Sequence, residues 1–291
     1  MDILPFFISG LIIGSIYGLA TLGLSLIFGV LRVANVAHGA FIMLGAYTAY
    51  LLFTSFNIIP FASAVAGVAL GALLGYLTYL AVVRPLRKIG ELHTLVALFA
   101  MSMLIAEVAR IIWGPDFVGY RWSTGSFSIG GLEVEWSKAA GAVVALITAL
   151  AIDYFIRRTY TGRAIRAVVQ DPVGAQVVGI DVEKIYAAAA AMGIGLTTMG
   201  GVLLTLFIPV GINPYMGGPY TLIGFVIAVL GGLGSILGAY VAGLIFGVIE
   251  SVGYYVFSTM GFAEPSQMAL FLSFVILLLI LLLKPSGLLR L

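Results

Sequence analysis

Long apolar runs separated by short polar segments extend along the whole chain. A helix needs about 20 mostly apolar residues to cross a bilayer. The runs predict nine such segments: 4–31, 36–53, 59–83, 92–113, 139–156, 185–210, 219–230, 236–257 and 266–283. The seventh run is short, and Gly-Gly-Leu-Gly-Ser at 231–235 separates it from the eighth. The pattern therefore predicts an all-α, polytopic membrane helical bundle of eight or nine transmembrane segments, some broken, in a single domain over residues 1–291.

Two polar segments are longer than a simple turn. In the hairpin loop, residues 114–137, the stretch 127–136 alternates around Gly-Gly, which predicts a small β-hairpin. The basic segment, residues 157–184, carries five Lys or Arg residues against three acidic ones. It has room for a short helix at 162–169 or at 173–178, and Pro172 favours a break at Asp171.

The basic residues predict which end of the bundle faces the cytoplasm. Short loops rich in Lys and Arg stay on the cytoplasmic side. This places residues 84–88, the basic segment, and the C-terminus with Lys284 and Arg290 inside, and the hairpin loop outside. Nine spans put the N-terminus outside. If residues 32–39 instead lie within one broken helix, the count is eight and the N-terminus is inside.

Composition excludes several classes of protein. The chain is 62% hydrophobic and 9% charged, whereas a soluble domain has roughly 25% charged residues. Its net charge of +2 sits in loops, which does not indicate nucleic acid as a partner; the expected surroundings are membrane lipid. With no cysteine and only two distant histidines, no metal site is expected.

Small residues recur at every fourth position in four of the predicted helices. Such stripes let two helix backbones approach closely in lipid. The stripes are Gly10, Gly14 and Gly18; Gly67, Gly71 and Gly75; Gly193, Thr197, Gly201 and Thr205; and Ser235, Ala239, Gly243, Gly247 and Ser251. Residues 44–53 also resemble residues 237–246, which leaves an internal repeat open.

Few polar side chains interrupt the apolar runs. Asn35 and His38 could hydrogen-bond a polar solute, or they could hold the first two helices together. Glu107 and Arg110 could line an aqueous path or form a structural ion pair, and Glu250 could serve the solute or bond a neighbouring helix.

The chain lacks the residue patterns of a membrane enzyme or an ATPase. It has no Ser/His/Asp set and no phosphate-binding G-x-x-x-x-G-K-[ST] loop. We therefore expect no catalytic residues and no nucleotide hydrolysis by this chain alone.

Four separated motifs resemble the permeases of branched-chain amino acid ABC importers, the LivH type. They are Arg-Val-Ala-Asn-Val-Ala-His-Gly at 32–39, Thr-Gly-Arg-Ala-Ile-Arg-Ala at 161–167 followed by Asp171 and Gly179-Ile180, Gly-Gly-Leu-Gly-Ser at 231–235 through Gly238, and Lys-Pro-Ser-Gly-Leu at 284–288. Importers of urea and short amides share these motifs. The chain departs from the pattern mainly at Glu107 and in the hairpin loop.

The resemblance implies a subunit that moves branched-chain amino acids, or related amides or urea, inward by alternating access. It further implies a bacterial inner or archaeal cell membrane, a second related permease, two ATPase subunits that use ATP and magnesium, and an extracytoplasmic solute-binding protein. No cofactor is expected on this chain. The alternative is a stand-alone channel or secondary carrier, which the scarcity of ionisable groups within the apolar runs disfavours.

Three groups of residues follow as candidates. For the solute pathway they are Asn35, His38, Gly39, Glu107 and Glu250; for coupling to an ATPase Gly162, Arg163, Arg166, Asp171 and Gly179; and for helix breaks and packing Gly231, Gly232, Gly234, Gly238, Gly243 and Gly247.

Overall fold

A computed structural model describes residues 3–129, 132–283 and 287, and its helices follow the apolar runs. In chain order they are α1 (Leu4–Leu31), α2 (His38–Phe56), α3 (Pro60–Thr78), α4 (Arg84–Arg87), α5 (Glu91–Trp113), α6 (Trp136–Arg158), α7 (Tyr160–Gln170), α8 (Pro172–Val177), α9 (Val182–Leu204), α10 (Gly217–Gly231), α11 (Ile236–Thr259) and α12 (Pro265–Leu283). The predicted polytopic helical bundle is thereby confirmed.

Among the described residues, seven stretches of helix are long and apolar enough to cross a membrane. They are α1, α2, Pro60–Arg87, α5, α6, α9 and α11, whereas α10 and Pro265–Ile280 of α12 are shorter apolar helices. The exact number of crossings and the side of each loop stay predictions. The C-terminal signals at Lys284 and Arg290 lie outside the described residues.

The third apolar run is one continuous helix with a widened turn. A π-helical stretch, Tyr79–Val83, joins α3 to α4. Pro85 is the second residue of α4, and because proline has no N–H it leaves the carbonyl of Ala81 without its usual helical partner. The irregular turn therefore lies beside the residue that disturbs the regular hydrogen-bond pattern.

The first two apolar runs form two separate helices. Arg32 takes a left-handed conformation (φ 55°) after α1, and residues 32–37 are not helical. The prediction for the sixth run extended too far, since α9 ends at Leu204 rather than at residue 210. There the Thr205 hydroxyl bonds the Val202 carbonyl at 2.6 Å, and residues 210–212 form a strand instead.

Two small antiparallel pairs lie at the end of the bundle that carries the hairpin loop. The predicted hairpin is confirmed: β2 (Ser126–Ile129) pairs with β3 (Leu132–Glu135). The second pair was not predicted, because its strands are two and three residues long and distant in sequence. It joins β1 (Val118–Gly119) to β4 (Val210–Ile212).

The stripes of small residues pair helices backbone to backbone. Gly14 of α1 lies against the backbone of Gly243 and Leu244 in α11, and Gly71 of α3 against Ile194 and Gly195 in α9. In both pairs residue numbers rise along one helix as they fall along the other, so the helices are antiparallel. These are the two most extensive helix contacts among the described residues.

The first four long helices pack against one another and against the last four in a repeated pattern, and the sequence did not suggest this pairing of the two halves. Contacts between α1 and α11 correspond to those between α9 and α3, and α2–α5 corresponds to α10–α12. In this pattern α1, α2, α3 and α5 correspond, in order, to α9, α10, α11 and α12. The similar sequences at 44–53 and 237–246 would instead have matched α2 with α11. Because α1 and α9 run antiparallel, this is the arrangement of an inverted repeat.

Gly14→Ala tests the close approach of α1 and α11. A methyl group there would overlap the backbone of α11, whereas one at Gly218 would meet nothing within 4 Å. Overpacking of this kind costs about 1–3 kcal/mol. We expect thermal unfolding of the purified protein to begin several degrees lower for Gly14→Ala and to be unchanged for Gly218→Ala. Equal stability of both variants would contradict the packing.

Candidate functional site

The first turns of α2 and α10 meet inside the bundle. The Gly39 backbone N–H donates to the Thr221 Oγ1 at 2.9 Å, and a side chain on Gly39 or Gly217 would overlap the other residue's backbone. His38, at the start of α2, contacts Thr197. Thr197 lies about 22 Å from the start of α9 at Val182, at a rise of 1.5 Å per residue. We call this region, formed by Asn35, His38, Gly39, Gly217 and Thr221, the central crossing.

Two polar side chains of the central crossing are buried with unpaired nitrogens. His38 is 0% exposed; its Nδ1 lies 3.3 Å from the Thr197 Oγ1, and its Nε2 has no partner. Asn35 is 2% exposed; its Oδ1 accepts the Ala37 N–H, and its Nδ2 has no partner. An unsatisfied buried polar group costs about 1–3 kcal/mol. The interior therefore keeps two polar nitrogens at a cost in stability.

The spacing of Asn35 and His38 does not place them on one helical face. Because α2 begins at His38, Asn35 belongs to the turn before the helix, where its carbonyl accepts the His38 N–H at 3.1 Å. Both residues nevertheless belong to the central crossing.

Glu107 forms an ion pair with Arg110 on the surface of α5. The Arg110 Nε lies 2.6 Å from the Glu107 Oε2, and the two side chains are 43% and 50% exposed. The Tyr215 hydroxyl donates to the Glu107 Oε1 at 3.2 Å. Desolvation and then the Glu107 carboxylate raise the pKa of Tyr215. The pair thereby attaches the segment that precedes α10 to α5, which is a structural task.

Glu250 lines a cavity of about 300 Å³ beneath the hairpin strands. Its Oε2 is buried without a hydrogen-bond partner. Tyr17 and Tyr220 lie close to this carboxyl group, and their rings are 6.4 Å apart. Since Tyr220 is adjacent to Thr221 in α10, the cavity and the central crossing are neighbours.

In the basic segment, Gly162 and Arg166 fix α7 across the end of α6. A side chain at Gly162 would overlap the carbonyl groups of Phe155 and Ile156. The Arg166 Nη1 donates to the carbonyls of Ile156 and Arg157, each at 3.0 Å. Last-turn carbonyls of a helix have no partner within the helix, so Arg166 satisfies two of them.

Polar caps divide the basic segment into short helices at the predicted break. The Asp171 carboxylate accepts the Val173 N–H at 3.0 Å and begins α8, and Gly179 follows α8 with φ 88°. Asp181 caps α9 through the Lys184 N–H at 3.1 Å, and this hydrogen bond lowers the pKa of Asp181. Of the five predicted coupling residues, Gly162, Arg166, Asp171 and Gly179 shape the segment, while the Arg163 side chain is exposed.

The sequence reasoning missed three exposed valines on and just after α8. Val173, Val177 and Val178 are 71%, 82% and 76% exposed, in a segment that carries eight charged residues. Their signal in the sequence was weak, because three valines in a short run also fit a buried turn. Exposed, they form a small apolar surface that we call the valine patch.

Glu183 was also missed, and it joins the start of α9 to the end of α3 and α4. Its carboxylate lies 3.0 Å from the Arg84 Nε and 4.0 Å from the Arg87 Nη2, and it accepts the Tyr79 hydroxyl at 2.7 Å. Arg87 lies over the Tyr186 ring, 4.0 Å from its centroid. The partners are distant in sequence, so spacing could not reveal this cluster.

Glycines form the break between α10 and α11 as well as the contacts around it. Gly232 and Gly234 take positive φ angles of 92° and 90°, a region that favours glycine. Gly231 and Gly238 touch each other's backbone, while Gly243 and Gly247 contact α1. The Ser25 Oγ accepts the Gly234 N–H at 3.2 Å, which ties the break to α1.

The fold is that of a multi-pass integral membrane protein with interrupted helices around a buried polar crossing. Residues 6–281 match the family described as branched-chain amino acid transport system, permease component, and the chain belongs to this family. It is a protein of the cell membrane, as the sequence predicted.

Individual relatives cover nearly the whole chain. The high-affinity branched-chain amino acid transport system permease protein LivH of Salmonella typhimurium is 30% identical over 97% of this chain and 93% of its own length. BraD of Pseudomonas aeruginosa, named likewise as a permease protein, is 29% identical over 97% and 94%. A probable LivH of Methanocaldococcus jannaschii is 28% identical over 84% and 79%. All three are named as transport permeases.

Arg166→Ala tests whether α7 is held by the carbonyls of α6. Without the guanidinium, two carbonyls lose a charge-assisted hydrogen bond, and such bonds are worth about 1.5–3 kcal/mol each. We expect amide hydrogen exchange in α7 to rise roughly tenfold or more. Arg163→Ala, which removes an exposed guanidinium from the same helix, should leave exchange as it is. Unchanged exchange in both variants would mean that Arg166 does not hold α7.

Proposed function

We propose that this chain is the membrane-spanning permease subunit of an ATP-driven importer of branched-chain amino acids. The basic segment is its cytoplasmic coupling element, and the hairpin loop faces outward. Membership of the family supports the solute class. The observation that carries the coupling proposal is that the basic segment leads directly into α9, the helix on which α1, α2 and α3 all pack.

A push on α8 reaches the interior of the bundle through a short path. Only residues 178–181 separate α8 from α9. Fifteen of the 23 residues of α9 are buried, and closely packed interiors transmit strain. Glu183 links the start of α9 to Arg84 on a neighbouring helix. Movement of α8 would therefore shift α9 and α4 together.

The valine patch is the surface on which an ATPase subunit docks. Apolar side chains exposed to water at one place mark an interaction site more often than scattered ones do. The patch lies beside arginines and acidic residues of the same segment, so it has the apolar centre and polar rim of a protein interface. A membrane does not suit it, because the segment around it carries charges of both signs.

Solute import by this chain requires partner subunits. It has no phosphate-binding loop of its own, so two ATPase subunits supply ATP hydrolysis with magnesium. A second, related permease completes the transmembrane pathway, and an extracytoplasmic binding protein delivers the solute. The relatives are described as parts of transport systems, which supports an assembly of several chains.

The central crossing is the proposed gate of the pathway. Asn35, His38 and Gly39 stand where two helices begin within the bundle, and two side-chain nitrogens there are unpaired. Helix N-termini carry partial positive charge, and interrupted helices of this kind border solute sites in transporters. A polar solute passing the crossing could offer the missing hydrogen bonds.

Val177→Asp tests the docking surface. Docking would bury the new carboxylate in an apolar contact, and removing its water costs free energy. We therefore expect the ATPase subunits to be lost when the complex is purified through a tag on this chain. Phe117→Asp makes the same kind of change at a 68% exposed residue of the hairpin loop and should retain them. Normal ATPase recovery and uptake with Val177→Asp would exclude α8 as the docking element.

ATP dependence separates the importer from a stand-alone carrier. In liposomes that contain the chain alone, we expect no accumulation of leucine. With the second permease, the ATPases, the binding protein, ATP and magnesium, uptake should appear. Uphill transport by the lone chain would contradict the proposal.

A further inference from the structure

The cavity at Glu250 has the chemistry of a small-molecule binding site. Its volume of about 300 Å³ lies at the lower end of the range for ligand pockets, about 300–1,000 Å³. It opens between α1, α11, α12 and the hairpin strands. Within α11, Glu250 lies nine residues before Thr259, which is about 13 Å from that end of the helix at 1.5 Å per residue.

The carboxyl group of Glu250 lacks a cation. Among the described residues, no Lys, Arg or His nitrogen forms an ion pair with it at 4.0 Å or less. Lys138 also lines the cavity, but its Nζ is paired with the Glu135 Oε1 at 3.4 Å. The Tyr17 hydroxyl hydrogen-bonds the carboxyl group, but the Oε2 of Glu250 has no hydrogen-bond partner. A carboxyl group deep in an apolar helix is costly unless something pairs with it.

Part of the cavity wall is apolar. Ile12, Ile13, Val134 and Phe207 contribute to it, beside polar residues that include a second carboxylate, Glu133. A ligand that fits both walls carries a cationic group at one end and a short aliphatic chain at the other. A doubly charged or wholly polar molecule would leave the apolar wall uncovered, and an uncharged hydrocarbon would leave the Oε2 of Glu250 without a partner.

The cavity also lies close to the central crossing. Tyr17 and Tyr220 stand beside Glu250. Tyr220 belongs to the first turns of α10, and the neighbouring Thr221 accepts the Gly39 N–H. The two tyrosines therefore lie between Glu250 and the region where α2 and α10 begin.

We propose that this cavity binds an aliphatic amino acid by its α-ammonium group, with Glu250 as the acceptor and the apolar wall in contact with the side chain. The proposal rests on the proposed function, since it takes the transported solute to be an amino acid. It adds an intermediate station on the hairpin side of the central crossing. It also assigns Glu250 to recognition of the ammonium group, which the neutral amides and urea lack.

Glu250→Gln tests the assignment in the complete complex, purified through a tag on this chain and reconstituted without nucleotide or binding protein. Three ligands separate the contributions: leucine, 3-methylbutylamine, which lacks the carboxylate, and 4-methylpentanoate, which lacks the ammonium group. We expect the wild type to bind the first two, and Glu250→Gln to weaken both by about tenfold or more because an ammonium–carboxylate hydrogen bond is charge-assisted. Glu264→Gln, at an exposed position outside the cavity lining, should bind as the wild type does.

A second variant keeps the test valid if Glu250→Gln fails to assemble. Ile12→Trp fills the cavity from its apolar wall and leaves the carboxyl group in place, so leucine and 3-methylbutylamine should again bind more weakly. The proposal is overturned if either assembled variant binds both ligands normally, or if 4-methylpentanoate binds as well as leucine.

Failure of this proposal is distinct from failure of the proposed function. If the wild-type complex takes up leucine with ATP, and Glu250→Gln and Ile12→Trp take it up with unchanged affinity, the importer stands and the cavity is not its station. If the wild-type complex takes up no branched-chain amino acid at all, the proposed function itself is wrong.

Discussion

Backbone groups inside a bilayer have no water to bond, so each must find its partner within the protein. Regular helices meet this demand by themselves, but their first N–H groups do not. Two helices of this protein nevertheless begin inside the bundle. α2 and α10 tolerate this because Thr221 accepts the Gly39 N–H, and because Gly39 and Gly217 let the two backbones touch. The rest of the architecture keeps this crossing enclosed.

Close backbone contact provides the enclosure. α1 packs along α11 and α3 along α9 through glycine, and α1 also meets α9 where Gly23 contacts Gly193. Such contacts gain dispersion energy and lose little side-chain entropy, because glycine has no side chain to order. The two pairs are related as the halves of an inverted repeat, α1 to α5 and α9 to α12. Each half therefore supplies one helix that begins within the bundle. The symmetry explains why there are two such helices and why they meet.

The sequence determined the helices well and the meeting points poorly. Within the described residues, apolar runs located the seven long helical stretches and the two shorter apolar helices. Pro172 with Asp171 located the break between α7 and α8, because these signals are local. Only some residues of the central crossing could be identified from the sequence. Asn35 and His38 stood out as polar, but Thr197 and Thr221 look like ordinary membrane threonines until the fold brings them to His38 and Gly39. Glu183 was overlooked for the same reason, since its partners Arg84 and Tyr79 come from another helix.

The polar groups divide according to whether they have partners. Glu107 and Glu183 are paired with arginines and tyrosines at the ends of helices, and such pairs hold elements in place. Asn35, His38 and Glu250 each keep a buried atom without a partner. Apolar residues in their positions would avoid that cost, so stability alone does not account for them. Natural sequences break such rules mainly at functional sites. A polar solute that hydrogen-bonds these atoms one after another would be stabilised along the path. The free-energy cost of each unpaired atom would be lowered only while the solute is bound there.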